Sequence, residues 1–182
     1  MNILAFAGSL RKASYNKSLL RAARDVSPDG MKIELFDLEG IPLFNEDVEK
    51  SGDPARVAEF KSAILKSEGL LIASPEYNHG MTGVTKNALD WASRPPKDMP
   101  ISGKPVGIMG ASPGITGTAR SQDQLRQSLK SVGAHCMAKP ELLLFRAHEK
   151  FNQDGELTDE KTREFLKKYL TDFAEWVHNI NG

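Results

Sequence analysis

Cysteine is almost absent from this chain. Its single thiol, Cys136, excludes an intramolecular disulfide and any multi-cysteine metal cluster. An excess of either charge is missing too: 24 Lys and Arg offset 24 Asp and Glu, a formal net charge of zero. Binding to nucleic acid leaves a strongly basic footprint, and this composition has none. No apolar run approaches the ~20 residues that a membrane-spanning helix needs. The N-terminus opens as a strand-like run rather than a charged segment before a long apolar one, so no signal peptide is expected. A cytoplasmic protein with no nucleic-acid or membrane partner is the expectation. The 182 residues contain no internal repeat and no low-complexity segment, which suits a single domain over 1–182.

What is present is an alternation of short apolar runs with longer helical patterns. "NILAFAG" (2–8) is apolar at nearly every position, as a strand covered on both faces requires. In 14–26, Leu19, Ala22, Ala23 and Val26 fall on one helical stripe, with Ser14 as N-cap. "MKIELFDL" (31–38) alternates at period two and reads as a second strand. Residues 53–68 read as a helix entered through Asp53 and Pro54. "GLLIASPEYN" (69–78) is a third strand, stopped at Pro75, and 83–93 is a helix closed by Pro95 and Pro96. A fourth strand covers 104–112, and a helix over 116–133 ends at Gly133. A short fifth strand lies within 134–145, split by Lys139 and Pro140. The last helix, 158–180, takes Thr158 as N-cap, and its Phe165, Tyr169, Phe173 and Trp176 recur at helical spacing as core.

Five strands alternating with five helices predict a parallel sheet with helices on both faces. With right-handed crossovers, and five strands rather than six, the doubly wound flavodoxin-like order 2-1-3-4-5 is expected. Ligands of such sheets bind beyond the carboxyl ends of the strands, at the switch point between strands 1 and 3. Three loops meet there, 8–16, 75–83 and 110–118, all rich in Gly, Ser, Thr, Asn and Pro.

The first, "GSLRKASYN", offers hydroxyls at Ser9 and Ser14, an amide at Asn16, cations at Arg11 and Lys12, and a helix N-terminus. Unpaired N–H groups and a positive dipole end suit a phosphate. The loop is neither G-x-x-x-x-G-K-[ST] nor G-x-G-x-x-G, so the usual nucleotide and dinucleotide patterns are excluded. In the second, "SPEYNHGMTG", backbone amides after Pro75 face a ligand edge and Tyr77 supplies flat apolar area. The plainer alternative is that Glu76 and Asn78 satisfy local backbone groups and Tyr77 packs in the core. The third, "GASPGITG", has the small residues that let backbone approach a planar ring. "FNQDGELTDEK" looks like half of a calcium loop, but Lys150 and Lys161 stand at its first and last ligand positions, so a turn at Asp154-Gly155 is expected instead.

On the segments "GSLRKASYN", "SPEYNHGMTGVTKNALDWASRP" and "TARSQDQLRQSLKSVGA", in their order and spacing, the chain resembles the NADPH-dependent FMN reductase family, the flavodoxin-like quinone, chromate and azo reductases. The resemblance extends over essentially the whole chain. It implies bound FMN, with Ser9, Arg11, Ser14, Asn16 and the backbone N–H of Tyr15 as the phosphate cradle. Pro75, Glu76, Tyr77 and Asn78 then line the isoalloxazine and its ribityl side, and Ala111 and Ser112 lie on the other side of the ring. It also implies NADPH or NADH as co-substrate, a small-molecule electron acceptor such as a quinone, chromate, an azo compound or free flavin, and a homodimer or homotetramer. The chain departs from the family pattern at Gly80-Met81-Thr82-Gly83, where Ser-x-Pro-Gly is common, and at Thr85, where Leu is common. No side chain is arranged as acid or base, so no catalytic residue is nominated. Two rival readings are a flavodoxin-type electron carrier and a non-catalytic flavin-binding redox sensor.

Overall fold

A computed structural model of the chain describes residues 1–182. The buried first strand, β1 (Asn2–Ala7), is followed by α1 (Tyr15–Asp25), β2 (Lys32–Phe36), the short α2 (Glu46–Lys50), α3 (Ala55–Lys66) and β3 (Gly69–Ala73). A two-residue hairpin, β4 (Glu76–Tyr77) and β5 (Gly80–Met81), precedes α4 (Gly83–Ala92) and β6 (Pro105–Ala111). Then come α5 (Ala119–Ser131), β7 (His135–Cys136), β8 (Leu142–Leu144) and α6 (Glu160–Asn181).

The main sheet is parallel, ordered β2-β1-β3-β6 with β7 and β8 both paired to the far side of β6. This is the expected 2-1-3-4-5 arrangement with its fifth position broken in two. Pro140 lies in the break, where it has no N–H to offer a ladder. Successive residues of the inner strands face opposite sides, so each strand feeds two cores. Ile3, Ala5, Leu71 and Met109 pack with Leu19 of α1 and Leu170 and Phe173 of α6. Leu4, Phe6, Ile72 and Ile108 pack with Phe60 and Ile64 of α3, Leu89 of α4 and Leu125 of α5. The Phe6 and Phe60 rings meet edge to face at 5.3 Å. No helix is long and apolar enough to cross a membrane.

Several local expectations are corrected. Helix α3 takes its first bonds from the carbonyl of Pro54, not Asp53. The Asp53 carboxylate is held instead by the buried Lys61 at 2.7 Å, a charge whose burial demands a partner. The cap of α6 is Asp159, which accepts from Thr162 N, while the Thr158 hydroxyl bonds back to Lys150. Helix α5 starts at Ala119 because Gly117 sits at φ +61°, outside the helical region. The third strand ends at Ala73, and residues 76–81 form the separate hairpin. Phe165 is 42% exposed and not core, and Trp176 is half-buried with its indole N–H on the His135 carbonyl. The α2 helix, capped by Asn45, is an element the sequence pattern does not reveal. The Asp154-Gly155 turn is present, with Phe151 and Leu157 bridged across it.

Burial pushes the Cys136 thiol up to about 11. At pH 8 it then holds roughly a hundredfold less thiolate than a free cysteine. Native protein is expected to leave a disulfide-exchange dye such as DTNB essentially unreacted over minutes, and to react at once when unfolded in guanidinium. Fast labelling of the native protein refutes this partial shielding of the thiol.

Candidate functional site

The loops that follow β1, β3 and β6 meet above the sheet, at the switch point between β1 and β3. Ser9, Arg11, Ser14, Tyr15 and Asn16 from the first, Pro75, Glu76 and Tyr77 from the second, and Ala111 and Ser112 from the third line one shallow cleft. Pro113 completes it, a residue the sequence reading does not single out. Asn78 is absent from the lining. It sits with His79 at the tip of the β4–β5 hairpin, and both have positive φ (52° and 63°), the backbone of a two-residue type I′ turn. A larger hollow of about 680 Å³ between α1 and the 154–158 turn shares no residue with these loops, and its Arg21, Arg24 and Arg163 are offset by Asp25, Asp154 and Glu156.

The first loop builds an anion cradle. Ser14 caps α1 in extended conformation, its hydroxyl accepting from Lys17 N at 3.4 Å. The N–H groups of Ser9, Tyr15 and Asn16 find no acceptor in the chain. At a helix N-terminus such groups add to the positive dipole end and favour an anion. The buried Ser9 hydroxyl accepts from Arg11 N at 3.3 Å. The Arg11 guanidinium is exposed and bonds only the neighbouring Ala13 carbonyl, at 3.5 Å, so its charge is available to a ligand.

Two side chains in the cleft are engaged elsewhere. The buried Asn16 amide donates to the Ala111 carbonyl at 2.9 Å and accepts from Ala111 N at 3.0 Å, tying the first loop to the third. Asn16 therefore has its backbone N–H and one remaining amide hydrogen to offer a ligand. Glu76 Oε2 accepts from Arg120 N at 3.0 Å and Ser121 N at 3.3 Å, and its Oε1 accepts from Arg120 Nη1 at 3.1 Å. Thr118, the residue before α5, makes no side-chain cap bond, so Glu76 supplies the cap from a distance. Its carboxylate is thereby held at the N-terminus of α5.

The remaining walls are small or flat. Tyr77 is 51% exposed and is not core. Ala111 is buried at the end of β6, and the Ser112 hydroxyl folds onto Gly114 N at 3.1 Å. Behind the loops, outside the cleft lining, lie four buried hydroxyls that no local sequence pattern announces: Ser74, Thr82, Thr85 and Ser121. The two threonines are the positions at which the chain departs from the family pattern, and they bond each other at 2.9 Å. An open helix N-terminus and an unpaired cation beside a flat-walled slot fit a phosphate joined to a planar ring, as in FMN.

Comparison with known proteins agrees with that fit. The chain is 47% identical over 182 residues to an NAD(P)H-dependent FMN reductase of Pseudomonas aeruginosa, covering 100% of this chain and 98% of the relative. It is 37% identical over 176 residues to a quinone reductase of Pseudomonas putida, covering 97% and 94%. Among solved structures it superposes on FerB, a flavoenzyme NAD(P)H:(acceptor) oxidoreductase from Paracoccus denitrificans, with TM-score 0.89 and 34% identity over 98% and 97% of the two chains. Residues 1–149 match the profile of NADPH-dependent FMN reductases. With the fold, the loops and these matches in agreement, the chain belongs to the NADPH-dependent FMN reductase family.

Proposed function

We propose that residues 1–182 act as one FMN-binding unit that carries electrons from NADPH or NADH to quinones, with chromate, azo compounds and free flavin as further acceptors. The observation that carries this reading is the meeting of a charged, open helix N-terminus with two small-residue loops in a single cleft. Ser9, Arg11 and Ser14, with the N–H groups of Tyr15 and Asn16, hold the phosphate. Pro75, Tyr77 and the backbone of Glu76 line one side of the ring, and Ala111 and Ser112 the other. The chemistry that FMN supplies when bound is two-electron transfer between a nicotinamide and an acceptor. The chain's own share is orientation, which fixes how the ring is held and presented to the co-substrate. The one carboxylate in the cleft, Glu76, is committed to α5, so no side chain serves as acid or base.

Two copies or four complete the particle in this reading. Leu10, Leu38, Ile41, Leu43 and Val84 line an apolar hollow beside the first loop, the face that a second copy covers. The half-buried, weakly acidic Cys136 suits a reducing cytoplasm.

The test is steady-state oxidation of NADPH and NADH with menadione by protein purified with its yellow cofactor. A yellow protein that reduces no quinone overturns the reading and leaves an electron carrier. The double variant Arg11→Ala, Ser14→Ala is expected to weaken FMN binding about tenfold or more while keeping the fold, since charge-assisted bonds to phosphate are the strong ones. A double variant that still purifies fully yellow and binds FMN as the parent does refutes this placement of the phosphate.

A further inference from the structure

Four buried hydroxyls form an unbroken chain between the first two loops. Thr82 Oγ1 donates to the Gly8 carbonyl at 2.7 Å and lies 2.9 Å from Thr85 Oγ1. Thr85 Oγ1 lies 3.0 Å from Ser74 Oγ, which lies 3.0 Å from Ser121 Oγ. Ser121 Oγ donates to the Pro75 carbonyl at 2.8 Å, closing the chain. Ser74, Thr85 and Ser121 are fully buried and Thr82 nearly so, so bulk water does not complete the set.

Each hydroxyl brings one proton, and a carbonyl brings none. Both ends of the chain are carbonyls, and Ser74 Oγ also reaches the Pro75 carbonyl at 3.2 Å, so six links share four protons. The Gly8 link can be made only by Thr82, whereas the Pro75 carbonyl accepts from Ser121 or from Ser74. The protons of Thr85, Ser74 and Ser121 then serve the other five links, and two of these stay unmade.

The Thr82 end matters most for the cleft. The Gly8 carbonyl has no other partner in the chain. A trans peptide is planar, with its C=O and N–H pointing in opposite directions. Holding the Gly8 oxygen against Thr82 therefore turns the Ser9 N–H the other way, and that N–H has no acceptor in the chain. Thr82 Oγ1 also accepts from Thr85 N at 3.1 Å and so caps α4.

We propose that Thr82 is the positioning residue of the phosphate-binding loop, aiming the Ser9 N–H at the anion through the Gly8 carbonyl, and that the hydroxyl at the centre of the chain, Ser74, is dispensable for this. The proposal rests on the reading of the first loop as the FMN phosphate cradle. Deleting the Ser74 hydroxyl leaves three links and three protons, so every remaining bond is made. Deleting the Thr82 hydroxyl leaves the buried Gly8 carbonyl without a donor.

The test is titration of flavin-free protein with FMN, followed by quenching of flavin fluorescence well below the melting temperature of each variant. Thr82→Val is expected to raise the FMN Kd about tenfold, and Thr82→Ser to return it to within about threefold of the parent. Ser74→Ala, which also removes one buried hydroxyl, is expected to stay within about threefold of the parent. The phosphorus NMR signal of bound FMN is expected to move in Thr82→Val and to stay in Ser74→Ala. Parent-like affinity in a folded Thr82→Val, with only a lowered melting temperature, reduces Thr82 to a helix cap and overturns the proposal. A loss in Ser74→Ala equal to that in Thr82→Val overturns the proton count. If Thr82→Val does not fold, Ser74→Ala decides alone, unchanged affinity supporting the count and lost affinity refuting it. Parent protein that binds no FMN overturns the cradle itself, a failure distinct from all of these.

Discussion

Asn16→Ala lowers the unfolding free energy of the flavin-free protein by about 2–5 kcal/mol, the largest loss expected from any single side chain in the cleft. The amide is 3% exposed and makes two bonds to one residue 95 positions away, the Ala111 carbonyl at 2.9 Å and Ala111 N at 3.0 Å. Truncation strands a buried donor and a buried acceptor, each worth roughly 1–3 kcal/mol when left unpaired. It also uncouples the first loop from the third, so FMN affinity falls along with stability. Chemical denaturation with matched slopes, alongside FMN titration, reads both. Asn16→Asp separates the two bonds. The ionised carboxylate still accepts from Ala111 N but faces the Ala111 carbonyl with no proton to give. Burial and that carbonyl raise its pKa in the folded state above the unfolded value. A raised carboxylate pKa means stability is lost as pH rises through the folded pKa and is regained below the unfolded one. The Asp variant is therefore expected to gain on the parent as pH is lowered, whereas the Ala variant does not. Parent-like stability in Asn16→Ala refutes the clamp.

Gly110→Ala is expected to be destabilising by about 3 kcal/mol and to abolish purification with bound flavin. A Cβ at Gly110 would lie 2.0 Å from Thr118 Oγ1 and 2.7 Å from the Ser74 carbonyl oxygen. The first neighbour is a fully buried side chain and the second is backbone at the end of β3, so neither can swing aside. The strand end must shift instead, and it carries Ala111 and the Asn16 clamp with it. Adding Thr118→Ala removes the hydroxyl contact but leaves the Thr118 Cβ at 2.9 Å and the Ser74 carbonyl at 2.7 Å, so the double variant recovers part of the stability and not all of it. A Gly110→Ala protein that melts with the parent and stays yellow removes close packing of the β6 end as a requirement of the site.

Which parts of this molecule can be read from its sequence follows from how far each interaction reaches along the chain. Ser14 as a cap is legible because its partner, Lys17 N, is three residues away. The strand order is legible because buried parallel strands are apolar throughout and the crossovers have one hand. The Asp53 cap fails because a buried Lys61 claims the carboxylate, and no local pattern announces that burial. Phe165 shares a helical spacing with Tyr169 and Phe173, yet it lies outside the buried stripe, since periodicity alone does not fix how wide that stripe is. The cleft is legible as three loops because small polar residues gather at strand ends. The tasks of Asn16 and Glu76 within it are not, because their partners lie 95 and 44 or 45 residues away. The hairpin that holds Asn78 at its tip is not legible either, because its strands of only two residues are too short to show any alternation.

The broken fifth position of the sheet also bears on how copies of the chain can associate. An intact edge strand is a template for another strand, and unprotected edges invite aggregation. Here one edge is reduced to His135–Cys136 and Leu142–Leu144, with Pro140 between them and the Trp176 indole lying on the His135 carbonyl. The other edge, β2, carries exposed Lys32 and Glu34. Neither edge offers the run of free, uncharged backbone needed to extend a sheet across a two-fold axis. Self-association by sheet continuation is thereby designed against, and any oligomer of this chain must be built from its loop and helix surfaces.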